Sequence, residues 1–275
     1  MICFPNTKIN LGLHIVEKRN DGFHNIETVF YPIGWKDVIE VIENENWNEN
    51  NDKCELIEYG KKIDGDSSQN IIVKAYHLIQ SKFNIPPVQV YIYKNIPMGA
   101  GLGGGSSDAA FFIKLLNEKF ELNLNKEQLI EIASELGSDC AFFIKNKPVF
   151  AFEKGNKFKN CAIDLSGYTI ITVYPNIHSN TQLAYSRVSP KKPLVSLEEI
   201  ISNVKPENWK SVLVNDFEPS VFYHFPEIKK LKDKLYDLGA IYSSLSGSGS
   251  AVYGIFEKNN LPDLIKIKPF IYQIS

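Results

Sequence analysis

Five glycines crowd into Gly99-Ala100-Gly101-Leu102-Gly103-Gly104-Gly105-Ser106-Ser107, and this stretch limits the fold more than any other. Before it, Val88 to Ile96 alternates with Val88, Val90 and Ile92 on one face, as a strand does. After it, Asp108 to Phe120 has helical spacing. Glycine lets the backbone take positive φ and approach a ligand closely, so that successive N–H groups converge on one anion. The helix that follows adds its unpaired first amides and the positive end of its dipole. Ser106 and Ser107 contribute hydroxyls at the same point. A flexible linker is the competing reading, but a linker does not close a strand and open a helix. The stretch reads as a polyphosphate cradle.

Several cradles share this chemistry. Gly99-Ala100-Gly101-Leu102-Gly103-Gly104 satisfies G-x-G-x-x-G, but that pattern signifies a dinucleotide only when it opens a βαβ unit, which the following segment does not supply. No Gly-Lys-Ser/Thr follows, so the Walker design fails, and no H-R-D or D-F-G triplet exists for a protein kinase. The formal charge of −2, from 30 basic against 32 acidic residues, argues against a nucleic-acid binder, which needs a basic excess. A small anionic ligand needs only local charge.

With 275 residues and 44% hydrophobic content the chain is long enough for one or two cores. Cys3, Cys54, Cys140 and Cys161 are scattered without C-x-x-C or matching histidine spacing, which favours buried free thiols over a disulfide framework or a zinc site. Met1 to Asn10 lacks the pattern of a signal peptide, and no apolar run reaches the roughly 20 residues that span a bilayer. A cytoplasmic protein without membrane partners is expected.

Lys8 to Val16 reads as a strand, with Ile9, Leu11, Leu13 and Ile15 alternating with Asn10, Gly12 and His14. Lys18 to Gly22 is turn chemistry, and Ile26 to Ile42 continues as strand with a break near Gly34. Glu43 to Asp52 is a polar loop, and Asn70 to Phe83 is helical. A second helix after the glycines runs from Lys126 to Leu136, with Asn125 and Gln128 as a capping box and Gly137 as its stop. The pattern restarts past Phe152, giving domains at 1–152 and 153–275. Ile170 to Tyr174 is a strand, and Leu197 to Val204 and Pro226 to Leu238 are helices, the latter closed by Gly239. Ile241 to Phe256 is two strands around Ser246-Gly247-Ser248-Gly249-Ser250. Strands and helices mix without β-α alternation, which favours an α+β fold.

Three segments together resemble the GHMP kinases, the superfamily of galactokinase, homoserine kinase and mevalonate kinase. Lys8-Ile9-Asn10-Leu11 is similar to its first motif, Pro97-Met98-Gly99 through Ala110 to its phosphate-binding motif, and Leu245 through Ser250 to its third, a second glycine turn. The resemblance implies a two-domain GHMP kinase fold with the active site in the cleft between the domains, acting with ATP and Mg²⁺ on a small-molecule alcohol. A further set, Lys18-Arg19-Asn20-Asp21-Gly22-Phe23-His24 and Leu136-Gly137-Ser138-Asp139-Cys140-Ala141-Phe142-Phe143, resembles the branch that phosphorylates the 2-hydroxyl of a cytidine-diphosphate-linked methylerythritol in the non-mevalonate isoprenoid route. Two departures stand out. Pro5-Asn6-Thr7-Lys8 replaces the usual Pro-Ala-Lys, and Ser138 and Cys140-Ala141 replace Ala and Val-Pro around the aspartate.

The resemblance assigns roles residue by residue. Lys8 supplies positive charge at the transferring oxygens, and Asp139 accepts the hydroxyl proton. In that arrangement Lys8 also favours the ionised Asp139. Pro97, Met98, Gly99, Ala100, Gly101, Leu102, Gly103, Gly104, Gly105, Ser106, Ser107, Gly247 and Ser248 hold the nucleotide, with Asn70 near the adenosine. Phe23 and Tyr185 stack the cytosine, His24 bonds its edge, and Asn10 and Thr181 touch the substrate. The Mg²⁺ ligands are not assigned: Ser106 and Ser107 are candidates, and no carboxylate is placed. The bland alternatives are a solvated Lys8, a helix-capping Asp139, and Phe23 and Tyr185 as core aromatics. At the level of the whole chain, the alternatives are another GHMP kinase (homoserine, mevalonate or sugar), a catalytically inactive nucleotide-binding module, and a dinucleotide-binding oxidoreductase. A monomer and a homodimer remain equally open.

Overall fold

The computed structural model describes residues 1–63, 65–263, 266 and 270–275. The chain begins with β1 (Ile2–Cys3), β2 (Asn6–Lys18), β3 (His24–Lys36), β4 (Val38–Glu43) and β5 (Cys54–Gly60), then α1 (Ile71–Lys82) and β6 (Val88–Lys94). Next come α2 (Gly104–Lys119), α3 (Lys126–Leu136) and α4 (Cys140–Lys145), followed by β7 (Val149–Phe152), β8 (Lys157–Asn160) and β9 (Tyr168–Tyr174). The remainder is α5 (Thr181–Tyr185), α6 (Leu197–Asn203), α7 (Glu218–His224), α8 (Pro226–Asp237), β10 (Tyr242–Leu245), β11 (Val252–Glu257) and β12 (Ile271–Ile274). The expected α+β class holds. The chain forms two compact units, each assembled from separated segments. The first comprises Met1–Thr7, Lys36–Ile96 and Gly103–Asn146, and the second Lys8–Trp35, Pro97–Leu102 and Lys147–Ser275.

In the first unit the sheet runs β1-β4-β6-β5, with β4 antiparallel and β5 parallel to β6. The parallel pair needs a crossover, and α1 supplies it. Alternation on β6 buries Val88, Val90 and Ile92, the face expected from the sequence. Helix α1 buries Ile72, Val73, Ala75, Tyr76 and Ile79, and α2 buries Phe112, Ile113, Leu115 and Leu116. The Ile, Val, Leu and Phe side chains among these each contribute roughly 1.5–3 kcal/mol when fully buried. Helix α3 has the expected capping box, with Asn125 Oδ1 accepting the Gln128 amide at 3.0 Å and Gln128 Oε1 accepting the Asn125 amide at 2.9 Å.

The second unit holds two sheets, β2-β3-β7-β8 and β10-β11-β9-β12. The latter is antiparallel throughout, and α8 lays Ile228, Leu231 and Leu235 into a core with Val173, Leu245, Val252 and Phe256. Leu13 and Ile15 of β2 join that core. Gly12, at φ +66°, interrupts the strict alternation expected along β2. A Cβ there would stand 2.5 Å from Leu213 Cδ1, and the left-handed φ favours glycine at this point of the strand.

Two boundaries around the glycine-rich segment's neighbours differ from the sequence reading. The break expected near Gly34 lies at Asp37 instead, between β3 and β4, where the fully buried carboxylate accepts the Asn95 and Ile96 amides. Helix α2 starts at Gly104 rather than Asp108, so Gly104, Gly105, Ser106 and Ser107 form its first turn. The short elements β5, β7, β8, α4, α5, α7 and β12 carry too little periodicity to read in advance. All four cysteines are free thiols; Cys54 and Cys140 are buried, whereas Cys3 and Cys161 are half-buried.

One strained charge tests this packing. Burial pulls the Lys114 ammonium of α2 down to about 8, with Cys3 opposing weakly. Its Nζ donates to Phe143 O at 3.2 Å and lies 3.6 Å from the Phe111 ring centroid. A depressed folded-state pKa means that the folded state disfavours the proton; the penalty is full below about 8 and fades as pH rises to the unfolded value. Lys114→Met is therefore expected to raise the denaturant midpoint more at pH 7 than at pH 10. An equal change at both pH values contradicts the assignment.

Candidate active site

In the second unit the two glycine-rich segments lie back to back. A Cβ on Gly101 would stand 1.9 Å from Ser246 O, and one on Gly249 would stand 2.1 Å from Gly101 N. The Ala251 amide donates to Ala100 O at 3.0 Å, and Ser246 Oγ donates to Gly101 O at 3.0 Å. Asn215 holds the second turn from behind, its Nδ2 donating to Leu245 O at 3.0 Å and to Gly247 O at 2.9 Å. The glycines at 101 and 249 are thus demanded by backbone touching backbone, a reason apart from any ligand.

Lys8 and Asn10 sit on β2 beside these turns. Lys8 is 4% exposed, which disposes of the solvated reading. Its Nζ donates to Asn10 Oδ1 at 2.7 Å and to Gly101 O at 3.2 Å, and lies 4.8 Å from the Phe30 ring centroid. The Lys8 amide donates to Leu102 O at 3.1 Å. Asn10 Nδ2 donates to Thr28 Oγ1 at 3.0 Å, and Tyr253 Oη donates to Asn10 O at 2.8 Å. A Cβ on Gly247 would stand 3.2 Å from Asn10 Oδ1, so Lys8, Asn10, Gly101 and Gly247 form one cluster. Ser248 Oγ lies 3.3 Å from Thr181 Oγ1, at the start of α5.

In the first unit α2 opens at Gly103, whose φ of +71° is left-handed, and no side chain caps the helix. The amides of Gly104, Gly105 and Ser106 have no acceptor within the helix, while Ser107 N already bonds Gly103 O at 2.9 Å. Ser107 Oγ is buried and has no partner among the described residues. A Cβ at exposed Gly105 would meet only Ile71, at 3.9 Å, so the protein itself leaves that position open. Uncapped amides, an orphaned hydroxyl and open space fit an anionic group such as a phosphate. They also suit a magnesium ion carried on phosphates, which needs few protein ligands.

Asp139 precedes α4 at its N-cap position, yet its side chain makes no capping bond. The capping reading therefore fails. The Ser106 hydroxyl hydrogen-bonds the sulfur of the next residue, Cys140, whose thiol burial pushes up to about 11. The start of α4 thus lies beside the start of α2. Asn70 caps α1, accepting the Ile72 amide at 2.9 Å, and its Nδ2 donates to Glu58 Oε1 at 3.2 Å.

The aromatic group differs from the sequence picture. His24 itself stacks on Tyr185, with ring centroids 4.5 Å apart and an interplanar angle of 21°. Phe217 meets Tyr185 edge-on at 4.8 Å. Phe23 is 59% exposed under Lys154, so it is not a core aromatic, and no ring contact joins it to Tyr185 among the described residues. Burial and then Lys18 lower the His24 pKa, favouring the neutral ring. Arg19 braces the turn before it, with Nε 3.1 Å from both Asp21 oxygens and Nη1 donating to Asn25 Oδ1 at 2.9 Å. Sequence reasoning missed Thr28 and Asn215, polar residues without a motif whose burial alone marks them.

Gly249→Ala is expected to lower stability by about 2 kcal/mol or more, since overpacking against fixed backbone finds no soft neighbour to move. Chemical denaturation measures it, and a change within about 0.5 kcal/mol contradicts the back-to-back arrangement.

The GHMP kinases N terminal domain matches residues 70–147, and the GHMP kinases C terminal domain matches residues 198–266. The chain is 52% identical over 256 residues to the 4-diphosphocytidyl-2-C-methyl-D-erythritol kinase of Bacteroides fragilis, covering 93% of this chain and 92% of that one. It is 49% identical over 265 residues to the Bacteroides thetaiotaomicron protein of the same name, covering 96% and 95%. A crystal structure of 4-(cytidine 5'-diphospho)-2C-methyl-D-erythritol kinase superposes with a TM-score of 0.76 at 28% identity, over 93% of this chain and 90% of that one. Mevalonate kinase of Methanococcus jannaschii, 14% identical with a TM-score of 0.69 over 100% and 97%, shares the fold. With half its residues identical to such relatives over nearly its full length, the chain belongs to the 4-diphosphocytidyl-2-C-methyl-D-erythritol kinase family of the GHMP kinases.

Proposed function

We propose that this protein transfers the γ-phosphoryl group of ATP to the 2-hydroxyl of 4-diphosphocytidyl-2-C-methyl-D-erythritol, in the cytoplasm, as a monomer or homodimer without nucleic-acid or membrane partners. The observation that carries the reading is the 52% identity across 93% of the chain to a kinase named for that substrate. Among the described residues no helix is long and apolar enough to cross a membrane.

Phosphoryl transfer needs little covalent help from the protein; it needs alignment and charge stabilisation. In this reading the uncapped amides of Gly104 to Ser106 and the turn at Gly247 and Ser248 receive the phosphates, and the orphaned Ser107 hydroxyl gains a partner. Pro97 to Leu102 shape the loop, and Asn70 lies near the adenosine. Magnesium, when bound with ATP, neutralises charge on the β- and γ-phosphates. Lys8, held by Asn10 and Gly101 O, presents a cation that is already desolvated and so reorganises little during the reaction. Asp139, at the start of α4, takes the proton of the attacking hydroxyl. Asn10 and Thr181 orient the alcohol. Phe23, His24 and Tyr185 recognise cytosine, with neutral His24 offering one donor and one acceptor to the base edge. His24 must leave Tyr185 if the base is to take its place in the stack.

Purified protein with ATP and Mg²⁺ is expected to turn over the cytidine-diphosphate alcohol and to leave homoserine, mevalonate and galactose unphosphorylated, as read by coupled ADP release. Turnover of one of those three instead overturns the substrate assignment. Asp139→Asn and Lys8→Met are expected to fold and to lose about a hundred- to a thousand-fold in kcat. Near-normal turnover in either variant rejects its role.

A further inference from the structure

Within the first unit, Lys94, Asp37 and Asp108 form one buried charge cluster. Lys94 ends β6, and its Nζ bonds Asp37 Oδ2 and Asp108 Oδ2, each at 2.5 Å. The three side chains are 3%, 0% and 4% exposed. Asp37 Oδ1 also accepts the amides of Asn95 at 2.6 Å and Ile96 at 2.7 Å, which follow β6 directly. Asp108 is in the second turn of α2, the helix that leaves the stretch. Lys94 lies beneath the helix start, since a Cβ on Gly104 would stand 3.4 Å from its Nζ and 2.8 Å from Ile96 Cγ2. Strand end and helix start are thus tied by one ammonium.

Buried ion pairs are weak evidence for stability, because apolar groups of similar volume often serve as well. Directional bonds do supply a fixed register, which apolar contact does not. Burial works against the Lys94 ammonium, yet Asp108 and Asp37 hold its pKa above the ordinary value, so it remains charged.

We propose that Lys94, bridging Asp37 to Asp108, is a positioning residue that fixes the α2 amides against the end of β6 and thereby sets the affinity for ATP. The proposal rests on the phosphate-binding reading of Gly103 to Ser107, and its test separates the two. Steady-state kinetics are compared for wild type, Gly103→Val, Asp108→Asn, and the double variant Lys94→Met with Asp108→Asn, which leaves Asp37 its two backbone amides. The double variant is expected to raise KM for ATP at least about tenfold and KM for the alcohol less than about twofold, because displaced amides weaken only the phosphate contacts. Asp108→Asn, which keeps an oxygen for Lys94, is expected to raise KM for ATP by less than about threefold. Equal rises in both KM values, or an unchanged KM for ATP, overturn the proposal. If Gly103→Val also leaves KM for ATP unchanged, the phosphate-binding reading fails instead. Should the double variant not fold, Asp108→Ala decides by the same split between the two KM values.

Discussion

Two backbone turns meet in the second unit at a distance no side chain tolerates, and much of the candidate site is arranged around that meeting. Ala100-Gly101 and Ser246-Gly249 come so close that a methyl group on either glycine would overlap the other chain. The contact fixes Gly101 O, which accepts the Lys8 ammonium, and it fixes the Gly247 turn beside Asn10. Asn215 secures the turn from the other side with two bonds. A lysine with 4% exposure would be costly if its partners wandered; here each partner is held by something that cannot move far.

The first unit follows the same logic with different chemistry. There the helix start is left uncapped, which is unfavourable for an isolated helix and useful for one that meets phosphate. The open space at Gly105 and the unpartnered Ser107 hydroxyl lie at that same helix start. Buried or organised polar groups without internal partners mark places where a ligand completes the structure.

How far the sequence disclosed this depends on the kind of signal. Long periodic runs were legible: α3 has its bounds and its capping box as expected, and α8 runs between the proline and glycine that mark its ends. Glycine clusters were legible as places of close approach, though not what they approach; Gly101 and Gly249 answer to each other, whereas Gly105 answers to open space. The start of α2 was misplaced by four residues because glycine and serine are poor helix formers whose role at a helix start is set by tertiary context. The strand breaks at Asp37 rather than near Gly34, and the carboxylate's partners at Asn95 and Ile96 are far away in sequence. The stacking of His24 on Tyr185 joins residues 161 positions apart, which no local pattern reports. Roles for Lys8 and Asp139 rest on family likeness, and the structure adds burial to the one and a place at the start of α4 to the other.

The central claim is that the uncapped start of α2 receives the phosphates while Lys8 and Asp139 serve the terminal phosphorus and the hydroxyl that attacks it. A crystal structure of the protein with a non-hydrolysable ATP analogue, Mg²⁺ and the cytidine-diphosphate alcohol tests it most directly. The account predicts phosphate oxygens within hydrogen-bonding distance of the Gly104, Gly105 and Ser106 amides, with the Lys8 ammonium and Asp139 carboxylate reaching the γ-phosphate and the 2-hydroxyl. Triphosphate bound away from those amides, or a hydroxyl that meets neither side chain, contradicts it.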